Sequence, residues 1–207
     1  MQSFKTFKFA AAALAATLVT LAVSPSAQAA EGVRVRGTVV SLTGDQLLVK
    51  SRDGDNVSIT LGLGWKAGGI AKANLADIKP GDFVGIASLP NAAGTAGALE
   101  VLIFPPKMRG TGEGSYGWDL KPNSSMTNGA VSEAVKSVDG TTVNVVYHGE
   151  SKKIVIAPGT PVVTFAPAVN ADVKPGAAVF VPADRAADGK LSTTRVVVGK
   201  DGVVPPM

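Results

Sequence analysis

The chain has 207 residues, with 20 Lys and Arg against 16 Asp and Glu, a formal charge of +4, and 45% hydrophobic against 17% charged residues. That composition excludes an acidic or basic disordered tail protein. It contains no cysteine and one histidine, which excludes disulfides, thiolate metal sites and cysteine nucleophiles and leaves little for a histidine-based metalloenzyme.

Residues 1–29 read as a secretory signal peptide. Lys5 and Lys8 supply a positive start, Phe9 to Val23 an apolar run, Ser24-Pro25 a break, and Ala27-Gln28-Ala29 a small-residue cleavage site. The run of about 15 residues is shorter than the roughly 20 that a bilayer span needs. No later segment is apolar enough to cross. The expectation is a soluble protein starting near Ala30, periplasmic or secreted, with no integral membrane segment after signal removal. Losing Lys5 and Lys8 brings the charge to about +2, too weak for a nucleic-acid groove. Aromatic residues at 5% also argue against nucleic acid as a partner.

From there the chain takes the form of short strands. Val35–Leu42, Gln46–Ser51 and Val57–Leu61 are Val-, Ile- and Leu-rich runs divided by Thr43-Gly44-Asp45 and Asp53-Gly54-Asp55, both hairpin signals. Ala71–Ile78 reads as one or two helical turns. Lys79-Pro80-Gly81-Asp82 fits a type II turn, and strands follow at Phe83–Ser88 and Ala98–Phe104. The second half repeats this order with Gly129–Val138, Thr141–Tyr147, Lys152–Ala157, Ala178–Pro182 and Ser192–Val198. Ala76-Asp77-Ile78-Lys79-Pro80-Gly81 recurs as Ala171-Asp172-Val173-Lys174-Pro175-Gly176 with flanking strands in step, which marks an internal duplication. Asp77 and Asp172 are expected to accept local backbone hydrogen bonds.

Five short strands with a helical connection after the third is the order of an OB-type barrel. The predicted fold is therefore all-β: two tandem small OB-like barrels, residues 30–104 and 129–207, the second ending in a Pro-rich tail. An irregular Gly/Pro-rich segment, 105–128, joins them. Its Tyr116 and Trp118 are expected to bury against a barrel.

The paired turns, the run Met108-Arg109-Gly110-Thr111-Gly112-Glu113-Gly114, Trp118-Asp119-Leu120 and the Pro-Pro-Met end resemble an uncharacterised exported bacterial family of tandem OB-like domains. Members of such families are sometimes labelled metal-transporter permeases. A permease needs several spans, which this sequence does not offer after residue 29.

Gly110 to Gly114 lacks the strand, helix and Lys-Ser/Thr pair of a phosphate loop. Asp53, Asp55 and Asn56 start like a calcium loop but run into a strand. Met108, Met126 and His148 offer thioether and imidazole ligands of the kind that suit Cu(I). A ligand site between the barrels would be lined by Met108, Glu113, Trp118 and Met126. Glu113 and Asp119 have no recognisable partner for hydrolysis. The sequence thus points to a non-enzymatic binding or scaffold protein with no cofactor, whose partner is an unknown ligand or envelope protein. The alternative is a copper-type metal carrier or sensor.

Overall fold

The computed structural model describes residues 31–91, 95–138 and 140–205. The expected signal peptide lies outside the described residues. Among them the regular structure is strand, apart from three single 3-10 turns, and no helix is long and apolar enough to cross a membrane.

The strands are β1 (Glu31–Thr43), β2 (Gln46–Ser51), β3 (Asn56–Lys72), β4 (Phe83–Pro90), β5 (Ala96–Phe104), β6 (Gly114–Trp118), β7 (Ser124–Ser137), β8 (Gly140–Tyr147), β9 (Glu150–Ile156), β10 (Val162–Ala166), β11 (Ala178–Arg185) and β12 (Leu191–Gly199). The helical turns expected over 71–78 shrink to one 3-10 turn, Leu75–Asp77, because β3 runs on through Lys72. The second repeat has the matching turn Asn170–Asp172. In each, the Asp carboxylate accepts a backbone N–H three residues back: Asn74 to Asp77 at 2.8 Å and Val169 to Asp172 at 2.9 Å.

Strand pairing departs from the tandem expectation. β1, β2 and β3 close a five-stranded barrel with β12 and β11, the last two strands of the other repeat. β4 and β5 of the first repeat pair instead with β7, β8 and β9 of the second, and β9 meets β5 through Ala96–Ile154 and Gly97–Val155. The two halves have exchanged their last two strands, so residues 30–104 do not close on themselves. The physical reason is the length of β3. Ile59–Leu61 and Lys66–Ile70 both pair with β12 in the first barrel, and the end of the strand, Gly69–Lys72, pairs with β10 and carries the chain across the seam. β10 does the same for the second repeat, pairing with β5. The crossing segments meet antiparallel, and Ile70 faces Phe165. Counted from Ala76 and Ala171, these two residues are each other's counterparts, so a local two-fold passes between them.

Hydrogen bonds lock the exchange. The Gly176 N–H donates to the Val39 carbonyl and the Val39 N–H to the Ala177 carbonyl, both at 2.9 Å. Correspondingly, the Gly81 N–H donates to the Val131 carbonyl at 2.7 Å and the Val131 N–H to the Asp82 carbonyl at 2.8 Å. Each Lys-Pro-Gly turn therefore grips the first strand of the opposite repeat, at a register shift just beyond Val39 or Val131. Gly81 and Gly176 take φ of 93° and 86°, the left-handed position a type II turn reserves for glycine. At Gly37 and Gly129 the first strands bend so tightly that a Cβ would drive into the Lys50 or Val146 carbonyl.

Alternation within the strands gives each ring its interior. Val35, Leu47, Ile59, Val181 and Val196 fill the first, and Val84, Ile86, Val143, Ile154 and Ile156 the second. A third cluster at the seam contains Ile70, Phe83, Leu102, Phe104 and Phe180, with the Phe83 and Phe104 rings edge-on at 5.3 Å.

Candidate functional site

The segment 105–128 carries regular structure and is not a separate linker. Residues 114–118 form β6, which pairs with the start of β7. Asn128 holds the preceding loop: its Nδ2 donates to the Gly112 carbonyl at 3.0 Å and to the Tyr116 hydroxyl at 3.1 Å. Arg109 anchors the loop's base, its Nη1 donating to the Gly81 carbonyl at 2.7 Å. We refer to residues 105–123 as the arm.

The arm ends against the first barrel. Trp118 is half-buried rather than enclosed, and the Arg34 guanidinium carbon lies over its ring, 4.0 Å from the centroid. Tyr116 packs edge-on to it at 6.1 Å and is 39% exposed. Asp119 accepts from Arg36 at 2.7 Å and lies 3.8 Å from Arg34. Burial works against its charge. The Arg36 hydrogen bond and the fields of both arginines outweigh burial and hold the carboxyl below the usual range.

Arg34 forms one wall of a groove of about 560 Å³ across β1, β11, β12 and β3. Gly32, Pro182 and Thr193 also line it, and Lys66 and Arg195 lie at the side opposite Arg34 in strand order. These two cations are neighbours in the parallel β3–β12 register. Among the described residues neither has an ion-pair partner. Like charges side by side on a sheet face oppose folding, so the arrangement favours an anion bound between them. Asp184 is the one carboxylate in the lining.

The four expected ligand residues do not share one pocket. Met108 packs into the seam cluster beside Phe83 and Phe104. Met126 is 5% exposed on β7, between Ala87 and Tyr116 in register. Glu113 Oε1 accepts the His148 backbone N–H at 3.1 Å. Only Trp118 borders the groove region. His148 is exposed at the β8–β9 hairpin with φ of 44°. Met108, Met126 and His148 thus lie on the seam, on β7 and on a hairpin tip, and no described cavity is lined by all three. No group of three His, Cys, Asp or Glu able to hold a metal occurs among the described residues.

Sequence reasoning missed the cations. Arg34 and Arg36 alternate with Val33 and Val35, a pattern that puts both on one outward face. Lys66 and Arg195 meet only through the exchange. It also missed Glu100, 4% exposed, whose Oε1 and the Trp118 Nε1 are the buried side-chain polar atoms without a hydrogen-bond partner among the described residues. Burial raises the Glu100 carboxyl to about 7 despite the opposing fields of Arg36 and Arg52. No protein-family model, curated protein or solved structure matches this chain.

Proposed function

We propose that this is an exported, non-enzymatic binding or scaffold protein built on two OB-like barrels with exchanged strands, and that its groove takes an extended acidic ligand. The ring order of first, second, third, fifth and fourth strand, with the third and fifth parallel, supports the OB-like reading. The signal-like residues 1–29 support export to the periplasm or medium. The observation that carries the ligand class is the neighbouring pair Lys66 and Arg195 lining the same groove as Arg34, on its opposite side in strand order. Arg34 lies on β1, two strands from β12, and neighbouring strands are about 4.8 Å apart, so the two walls are separated by about 10 Å. Charges that far apart suit a ligand with several spaced carboxylates better than one compact ion.

The test is calorimetric titration with a hexaglutamate peptide at low and physiological salt. Binding should weaken with salt and fall at least about tenfold in Lys66→Glu/Arg195→Glu. Lys136→Glu, a charge reversal on β7 outside the groove, should not have this effect. Equal losses in both variants would reduce the interaction to net charge and overturn the reading.

A further inference from the structure

The duplication supplies an internal comparison. Inside the mouth of the first barrel, four positions on β1, β3 and β11 are apolar: Val33, Val35, Val57 and Ala183, all packed in that barrel's core. Strand register gives their counterparts in the second ring. Val33 faces Ala183 as Ser125 faces Ser88. Val35 faces Val181 as Thr127 faces Ile86. Val57 faces Val49 as Lys152 faces Val145. The same fold position therefore holds Val, Val, Val and Ala in one ring and Ser, Thr, Lys and Ser in the other. The fold does not require the polar set, since the first barrel closes without it.

The four polar groups converge. The Lys152 ammonium donates to Ser125 Oγ at 2.7 Å and lies 3.4 Å from Thr127 Oγ1. The Ser125 and Ser88 hydroxyls are 3.5 Å apart, and Ser115 on the arm meets Thr127 at 3.0 Å. Ser88 and Thr127 are fully buried, whereas Ser125 and Lys152 remain partly open to solvent. An ammonium has three donors and a hydroxyl one. Two of the Lys152 donors are directed at hydroxyl oxygens, and each of those hydroxyls pairs with a second one, so one proton of each pair remains to give. Among the described residues no carboxylate is within ion-pair distance of Lys152. The mouth is rich in donors, and among the described residues the chain itself brings no carboxylate to it.

We propose that the mouth of the second ring, formed by Ser88, Ser125, Thr127 and Lys152, binds a carboxylate group. One cation balances one negative charge, the partly open Ser125 hydroxyl supplies a further hydrogen bond, and the buried Ser88 and Thr127 hydroxyls hold Ser125 and Lys152 in place. A doubly charged phosphate would call for further cations of the kind arginine clusters provide. Desolvation lowers the Lys152 ammonium below its ordinary range, and a bound anion would relieve that penalty. β6 runs along β7 beside this mouth, and its far end reaches Arg34. The arm thus borders both the mouth and the groove.

The carboxylate could belong to a small free acid or to a peptide C-terminus. The test is an amide-shift titration of the whole protein with sodium acetate, a tetra-alanine peptide with a free C-terminus, and the same peptide amidated, at constant ionic strength. Acetate and the free-acid peptide should move the Ser88, Ser125, Thr127 and Lys152 amides, and the amidated peptide should not. Affinity should fall at least about tenfold in Lys152→Val and in Ser88→Ala/Ser125→Val/Thr127→Val/Lys152→Val, which reproduce the first barrel's residues and should fold as it does. Lys152→Arg should retain binding, which guards against a loss caused by misfolding. Tighter binding of the peptide would identify a chain terminus as the source, and equal affinity a small free acid; both uphold the site. Unmoved amides, equal binding of the amidated peptide, or wild-type affinity in Lys152→Val would overturn it.

Discussion

Replacing Glu100 by Gln should make the protein less sensitive to alkaline pH. Glu100 lies on β5, enclosed at 4% exposure, with one carboxylate oxygen lacking a partner. Its folded-state value, raised to about 7, lies above the ordinary 4.5. The neutral form is therefore favoured by folding. The stability it confers is complete below about pH 4.5 and is lost as pH rises through about 7. At 1.36 kcal/mol per pH unit between the two values, the ionised group costs about 3 kcal/mol at pH 8. For a chain of this size that is about 6–12 °C in Tm. Wild type and Glu100→Gln should be compared by thermal melts at pH 5 and pH 8. Other groups titrate in the same window, so the difference between the two proteins is the quantity that matters. Glu100→Gln should lose about 2.5 kcal/mol less than wild type between those pH values, since about 0.8 kcal/mol of the cost is already present at pH 5. Identical losses would refute the assignment of a neutral buried carboxyl at this position.

Three further outcomes follow from the packing. Gly37→Ala should cost about 1–3 kcal/mol in urea denaturation, because its Cβ meets the Lys50 carbonyl, while Gly117→Ala, with nothing within 4 Å, should change stability by less than about 0.5 kcal/mol. Trp118→Ala should cost about 1–2 kcal/mol, the half-burial of its ring plus the Arg34 contact; a loss of 4 kcal/mol would mean the arm is held far more deeply. Ile59→Ala and Ile154→Ala, each fully buried in a different ring, should both cost about 2–5 kcal/mol and shift one shared calorimetric transition; a variant that melts in two steps would contradict the coupling of the rings.

The duplication was legible in the sequence because the Asp-x-Lys-Pro-Gly turn is set by local chemistry, a Pro that fixes φ and a Gly that takes positive φ. The strands were legible for the same reason: alternation such as Val57-Ser58-Ile59-Thr60-Leu61 shows which side is buried. Partner choice was not. Phe83–Ala87 presents the same inward face to β1 as to β7, so a period of two cannot tell the two arrangements apart. The deciding feature is β3, which runs beyond the expected Val57–Leu61 because its continuation through Gly68-Gly69-Ile70 carries no turn signal strong enough to stop it. The site suffered in proportion. Trp118 stood out by composition, but Lys66 and Arg195 lie more than half the chain apart and become neighbours only when β12 joins β3. Lys152 is one of two adjacent lysines in Ser151-Lys152-Lys153, which alternation alone does not tell apart. Only its register against Val145 turns it inward, in the same sense as Ile154 and Ile156.

The exchange of strands is the claim on which the rest depends, and disulfide trapping tests it most directly. The protein has no cysteine of its own. Gly32 and Asp184 are Cα partners across β1 and β11, and both are exposed. Paired antiparallel residues are about 4.5–5.5 Å apart, within disulfide reach. If each repeat closed on itself, Gly32 would instead face Leu89, the counterpart of Asp184 in β4. The account predicts that Gly32→Cys/Asp184→Cys oxidises to a monomeric, cross-linked chain, while Gly32→Cys/Leu89→Cys keeps two free thiols. Cross-linking of the Leu89 pair with free thiols in the Asp184 pair would contradict it.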